Sequence, residues 1–182
     1  MAEKQSAKQK KIIELLTKLN SKDNKESIKA VSRLKVHGDE SVLEPLLDKF
    51  IATDNDELKN EILIFFSELK STKAPEVIMS LLKKDKFKEP LALFLNTLWN
   101  SGLDYSQNIA DLCQIAIDGD FMVTFECYTI IDNMTDSEFE EEDINDSLIL
   151  LKEYFSGNQE DSQKNAILQD ILAIVSGISM SL

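Results

Sequence analysis

The stretch GDESVLEPLLDKF, residues 38–50, decides how the rest of the chain reads. His37-Gly38 closes one helix, since glycine takes the left-handed terminal conformation at little cost. A second helix follows, with Val42, Leu43, Leu46, Leu47 and Phe50 at the spacing of a single buried face. Pro45 falls early in it, where a missing N–H costs little if the helix begins near residues 40–42. A shift of 35 residues carries Val42, Leu43, Leu46 and Leu47 onto Val77, Ile78, Leu81 and Leu82. The same shift carries Ser27, Ala30, Val31 and Leu34 onto Ile62, Phe65, Phe66 and Leu69. One offset thus aligns both helices of two consecutive pairs, the signature of a helical repeat.

Toward the N-terminus, residues 1–10 are polar and Lys-rich and read as a flexible tail. Residues 11–20 form an amphipathic capping helix through Ile12, Ile13, Leu15, Leu16 and Leu19, with Glu14 and Lys18 paired at i, i+4. Asp23 and Glu26 make a D-x-x-E helix start, followed by Ile28, Ala30, Val31 and Leu34 on the buried side. Asp54 and Glu57 repeat that start ahead of Leu58, Ile62, Leu63, Phe65, Phe66 and Leu69. After a turn at 71–74, Pro75 is expected as the first residue of the next helix.

A third pair follows at an offset near 31. Its first helix, 88–100, buries Leu91, Phe94, Leu95 and Leu98 and is broken by Ser101-Gly102. Its second opens at Asp104 and Gln107 and buries Ile109, Leu112, Cys113, Ala116 and Ile117. Gly119-Asp120 introduces a helix expected to bury Phe121, Phe125, Tyr128 and Ile131. Thr135 and Glu138 read as another capping box, before Ile144, Leu148, Leu151 and Phe155. Past a turn at Gly157-Asn158, a C-terminal capping helix over 158–180 presents Ile167, Leu168, Ile171, Leu172 and Val175. The chain of 182 residues reads as one all-α domain, because five Gly and three Pro are too few for the turns of an all-β fold.

Charge narrows the partners. Residues 1–36 carry a net +6, residues 37–103 a net −4, and residues 104–182 a net −15, with Lys152 and Lys164 set against seventeen acids. Such a chain is repelled by phosphate backbones, and Arg33 is the sole arginine, so nucleic acid is not expected as a partner. Cys113 and Cys127 read as reduced, buried thiols rather than a disulfide framework. The charged N-terminus lacks an apolar signal region. The apolar stretch 166–178 carries Gln169 and Asp170 and is too short to span a bilayer, so the chain reads as cytoplasmic, with no membrane partner.

No catalytic motif emerges. His37 sits where a helix C-terminus favours a charged imidazole, a capping role. One His and two Cys do not supply a zinc site, and the acidic run 136–143 lacks the central glycine of a calcium loop. That run reads as a solvated turn or as a docking patch for a basic partner. The expectation is no enzyme, no cofactor and no metal. Trp99, Tyr105, Phe121, Phe125 and Tyr128 are expected in the core, with Trp99, at the end of its helix, partly exposed.

The segments GDESVLEPLLDKF, DNDELKNEILIFFSELK and APEVIMSLL resemble HEAT-type repeats, particularly the short bacterial ones, over about residues 24–133. Gly38, Asp39, Pro45, Leu46 and Leu47 match the opening of that repeat, and Asp54 and Glu57 match the start of the next, with Lys59 where an arginine is usual. The period also fits tetratricopeptide units, whose Trp, Leu-Gly and Tyr spacing is absent. The resemblance implies a right-handed α-solenoid of antiparallel helix pairs, about four repeats plus terminal helices. It also implies a non-enzymatic scaffold that binds a protein or peptide on a concave face. The outward positions of the second helices would line that face: Ser41, Glu44, Pro45 and Asp48, then Glu76, Met79, Ser80 and Lys83, then Gln107, Ala110, Asp111 and Gln114. HEAT-like DNA glycosylases share the architecture, but their groove is strongly basic. A homodimer through the stripe at 167–175 is the other alternative.

Overall fold

A computed structural model describes residues 6–134, 137–157 and 162–182. They form ten α-helices joined by short turns: α1 (Ala7–Leu19), α2 (Asn24–His37), α3 (Leu43–Ala52), α4 (Asp56–Ser67) and α5 (Ala74–Leu82), then α6 (Leu91–Trp99), α7 (Ile109–Asp118), α8 (Phe121–Asp132), α9 (Glu141–Ser156) and α10 (Ser162–Ser181). Single 3-10 turns lead into α3, α6 and α7. Among the described residues there is no strand, and the all-α expectation holds.

The helices pack in two rows. One runs α2, α4, α6, α8, α10, each helix against the next. The other runs α3, α5, α7, α9, with α5 meeting the 3-10 turn ahead of α7. α1 closes one end against α2, and α10 closes the other against α8 and α9. Between the rows lies the core. Phe94 of α6 is its hinge point, edge-on to Phe50 of α3 at 4.8 Å and to Phe66 of α4 at 5.7 Å. Edge-to-face rings of this kind add to what burial alone supplies.

The 35-residue register is visible in the packing. Val42, Leu43, Leu46 and Leu47 are buried, as are Ile78, Leu81 and Leu82, while Val77 is half-buried. Ser27, Ala30 and Val31 match buried Ile62, Phe65 and Phe66 in the same way, while buried Leu34 maps onto Leu69, half-buried just past the end of α4. Ser27 is the polar member of that set, and its Oγ donates to Leu19 O at 2.8 Å, so its burial is satisfied. Thr124 does the same at the far end, donating to Ala116 O at 2.8 Å. Both hydroxyls stand four residues after an Asp N-cap, Asp23 and Asp120, and both bind the last turn of the preceding helix.

Several boundaries depart from the sequence expectation. α1 begins at Ala7, inside the expected tail, because Ser6 and Gln9 form a reciprocal capping box. Asn55, not Asp54, caps α4, accepting from Leu58 N at 2.8 Å. Pro75 is the second residue of α5, not the first. Ile28 and Ile117 are half-buried flanks, with Ser27 and Ile115 buried beside them. Gly38 is extended at φ −69°, ψ 170°, not left-handed. A Cβ there would lie 2.6 Å from Leu34 O, so close approach of the chain demands glycine. Gly119 repeats this geometry, also ahead of an Asp cap, and Gly102 at φ 66° has the left-handed backbone. The Thr135 capping expectation and the turn residue Asn158 lie outside the described residues.

The largest departure is in α8. Phe121 and Phe125 are 39% and 44% exposed, and Tyr128 is half-buried, whereas Val123, Thr124, Glu126, Cys127, Ile130 and Ile131 face inward. Trp99, at the end of α6, is 41% exposed and Tyr105 is buried, both as expected.

Candidate interaction faces

The exposed side of α3, α5 and α7 collects most of the expected binding residues and ties them together by charge. Glu44 of α3 accepts from Lys84 Nζ at 2.7 Å and from Lys86 Nζ at 3.1 Å, in the turn after α5. Lys86 also reaches Asp48 at 2.6 Å, one turn further along α3. Lys83, at the end of α5, pairs with Asp111 of α7. The hydrogen bonds from Lys84 and then Lys86 hold the Glu44 carboxyl below the usual carboxylate range. Asp48 first, and Glu44 second, raise the Lys86 ammonium. Opposite charges thus alternate across the helix boundaries.

The remaining expected residues border this strip. Ser41 is exposed and its Oγ donates to Asp39 Oδ1 at 2.5 Å, within the turn that opens α3. Glu76 and Gln107 both line a groove of about 510 Å³ that also takes in Lys73, Asp104 and Asn108. Ser80 is exposed, its hydroxyl returned to Val77 O at 2.7 Å. Gln114 donates to Asp118 Oδ2 at 2.9 Å, one turn along α7. Gln114 and Lys83 share a cleft of about 250 Å³ with Lys88 and Asp118. Pro45 and Ala110 are half-buried.

Met79 overturns its expectation, being fully buried. α5 is nine residues long and has Ala74, Pro75, Ile78, Met79, Leu81 and Leu82 all inside, so its buried arc is wider than one stripe. With Met79 inside, the exposed residues left on the face are polar or charged, beside half-buried Pro45 and Ala110.

Toward α9 the same side turns acidic. Burial first, then the like charges of Glu140, Glu142, Asp146 and Asp111, push the Asp143 carboxyl above its ordinary value. Asp136 of the acidic run lies outside the described residues, and Glu140 precedes α9 as its N-cap residue. Glu141, Glu142 and Asp143 occupy the first turn of α9, where the helix dipole favours them.

The thiols of Cys113 and Cys127 are free and buried. Burial pushes Cys113 up to about 12, offset in part by the Ser147 hydroxyl, and pushes Cys127 well above its ordinary value. Thiols held neutral in this way are poor nucleophiles. Among the described residues no three His, Cys, Asp or Glu side chains converge as a metal ion would require. Among the same residues no helix is long and apolar enough to cross a membrane. In α10, Leu168, Ile171 and Val175 are buried within the chain, leaving Ala166, Gln169, Asp170 and Ala173 exposed.

The exposed side of α8 was missed from sequence as a surface. Phe121 and Phe125 stack at 6.5 Å, Tyr128 continues the line at 6.5 Å, and Met122 beside them is 51% exposed. No protein-family model matches the chain, and no curated protein matches it in sequence.

Proposed function

We propose that this chain is a HEAT-like, right-handed α-solenoid that acts as a binding module rather than an enzyme. Its partner-binding side is the concave face built by α3, α5 and α7. Two rows of helices stacked in a 35-residue register support the architecture.

The observation that carries the binding face is the charged strip, in which Glu44, Asp48, Lys83 and Asp111 pair across three helices and the turn after α5. Exposed ion pairs are worth little because water screens them and two long side chains must be held still. A partner's charges therefore exchange for these at small cost, and their alternating sign sets the partner's register. The overall net charge of −13 sets this reading apart from a glycosylase-like enzyme on duplex DNA, which needs a basic groove.

The test is recovery of partners from the protein's own cell lysate by chemical cross-linking, comparing wild type with Glu44→Lys, Asp48→Lys and Lys83→Glu. Loss of the cross-linked partner at an unchanged melting temperature is expected. Undiminished recovery with all three substitutions would remove this face from consideration, and tight, salt-sensitive binding of duplex DNA would reverse the class.

A further inference from the structure

We infer that the exposed face of α8 is a second docking surface, and that its occupant is a basic amphipathic helix from a partner protein. Phe121, Phe125 and Tyr128 fall at i, i+4 and i+7, one continuous stripe along the helix, and Asp132 at i+11 ends it. Their rings line up at 6.5 Å spacings, Met122 lies alongside, and the fold uses none of the four as a fully buried core residue. Isolated exposed apolar residues are ordinary, but a contiguous aromatic and methionine stripe is a recognition surface. Methionine adapts to varied side chains, and aromatic rings offer large contact area at low entropic cost.

Charge chooses the occupant. Asp118 and Asp120 stand at the start of the stripe and Asp132 at its end, all exposed. The segment 104–182 that contains it has a net charge of −15. A second copy of this chain docked face to face would bring these carboxylates against their own images. A lysine-rich helix meets them with opposite sign. The stripe from residue 121 to 132 is about 16 Å long at 1.5 Å per residue, which matches three turns of a partner helix. Apolar residues of that helix would sit on Phe121 and Phe125 while its lysines reach Asp118 and Asp132, a helix-on-stripe mode with charged rims. This surface belongs to the α2–α10 row and meets the strip on α3, α5 and α7 only at its edge, where Asp118 lines one cleft with Lys83 and Gln114; Glu44 lies outside that cleft.

The experiment titrates the full chain against a labelled 18-residue Leu/Lys amphipathic peptide, with a Leu/Glu peptide of the same pattern as control. Micromolar binding of the basic peptide is expected, weakened roughly tenfold by Phe121→Gln with Phe125→Gln and again by Asp132→Lys. Glu44→Lys on the other row should leave it unchanged, which separates a specific stripe from attraction to an acidic protein. Phe121 and Phe125 are 39% and 44% exposed, so their Gln variants should melt somewhat lower but stay folded, while Asp132→Lys, at an exposed position, keeps the wild-type melting temperature and tests the stripe without that cost. The inference is overturned if the basic peptide binds wild type and the double Phe variant equally, or if both peptides bind alike. It is also overturned if sedimentation reveals a homodimer that the Phe substitutions dissolve, since the occupant would then be a second copy.

Discussion

Replacing Gly119 with alanine adds one methyl group at the corner between α7 and α8, where the fold has no room for it. A Cβ there would lie 2.6 Å from Val123 Cβ and 3.0 Å from Ile115 O. The backbone is no obstacle, since φ −79° and ψ 173° are open to any residue. The cost is therefore steric, about 1–3 kcal/mol for forcing a group into a packed site. Val123 is 5% exposed, and Val123→Ala alone should lose about 2 kcal/mol of burial and cavity energy. Together the two changes should cost less than their sum, because Val123→Ala removes Cγ1, the nearest atom to the new methyl, although Val123 Cβ and Ile115 O stay in place.

Gly102 supplies the contrast. Its φ is 66° and nothing lies within 4 Å of a built Cβ, so Gly102→Ala costs about 1–2 kcal/mol through backbone strain alone. Gly102→Asn should recover part of that, because Asn tolerates the left-handed region, whereas Gly119→Asn should be no better than Gly119→Ala. Urea denaturation of the five single variants and the one double variant decides the matter. Strict additivity of Gly119→Ala and Val123→Ala, or a Gly119→Asn milder than Gly119→Ala, would refute the steric account.

Three further outcomes follow from buried polar groups. Ser27→Ala and Thr124→Val should each cost about 1–2 kcal/mol in urea melts, since each leaves a helix-end carbonyl without its hydroxyl donor. Tyr105→Phe should stabilise by about 1 kcal/mol, because its buried hydroxyl makes no hydrogen bond of good geometry among the described residues, the nearby Ser101 hydroxyl being donated to Leu98 O; a clear loss would mean that Ser101 serves as its partner. In alkali the chain should weaken: burial raises Cys113 from 9.0 and Tyr105 from 10.0, each to about 12, so both are neutral when folded at pH values where they ionise unfolded. Their contribution is complete below pH 9 and is lost as pH rises to about 12, worth about 4 kcal/mol for Cys113, so Cys113→Ala should flatten stability against pH in that window.

The helices from α2 to α5 were legible because their apolar residues fall mostly on one side. Val42, Leu43, Leu46, Leu47 and Phe50 leave Glu44 and Asp48 no alternative to solvent. α5 was less legible: its buried set is wide enough to enclose Met79, and a stripe rule assigns that position outward. Asp54 and Asn55 are both good caps, and nothing local distinguishes them. The hydroxyl four residues after an Asp cap was present in the sequence at Ser27 and Thr124, and it could have marked both hairpins in advance. On the candidate face, outward placement was readable at Ser41, Asp48, Glu76 and Ser80 and not at Met79, and the ion pairs were not, because Lys84 and Lys86 lie in a turn whose path depends on Phe87 being buried.

α8 shows why composition misleads when a helix is apolar nearly all round. Phe121, Met122, Val123, Phe125, Cys127, Tyr128, Ile130 and Ile131 surround the helix, and of its polar residues Thr124 and Glu126 are buried, Glu126 accepting from Asn96, so hydrophobicity cannot select the rotation. The corner with α7 selects it instead. Thr124 Oγ1 is held by both Ala116 O and Asp120 O at 2.8 Å, Val123 fills the space that Gly119 leaves open, and Lys164 Nζ of α10 closes on Ile117 O and Gly119 O at 2.6 and 2.7 Å. Consecutive side chains 123 and 124 are thereby fixed inward, and at about 100° per residue Phe125 must then lie on the far side, with Phe121 beside it. The exposed aromatic stripe is thus a consequence of how the corner is built. A variant that loosens the corner, such as Gly119→Ala, should weaken peptide binding on α8 even though it touches none of the stripe.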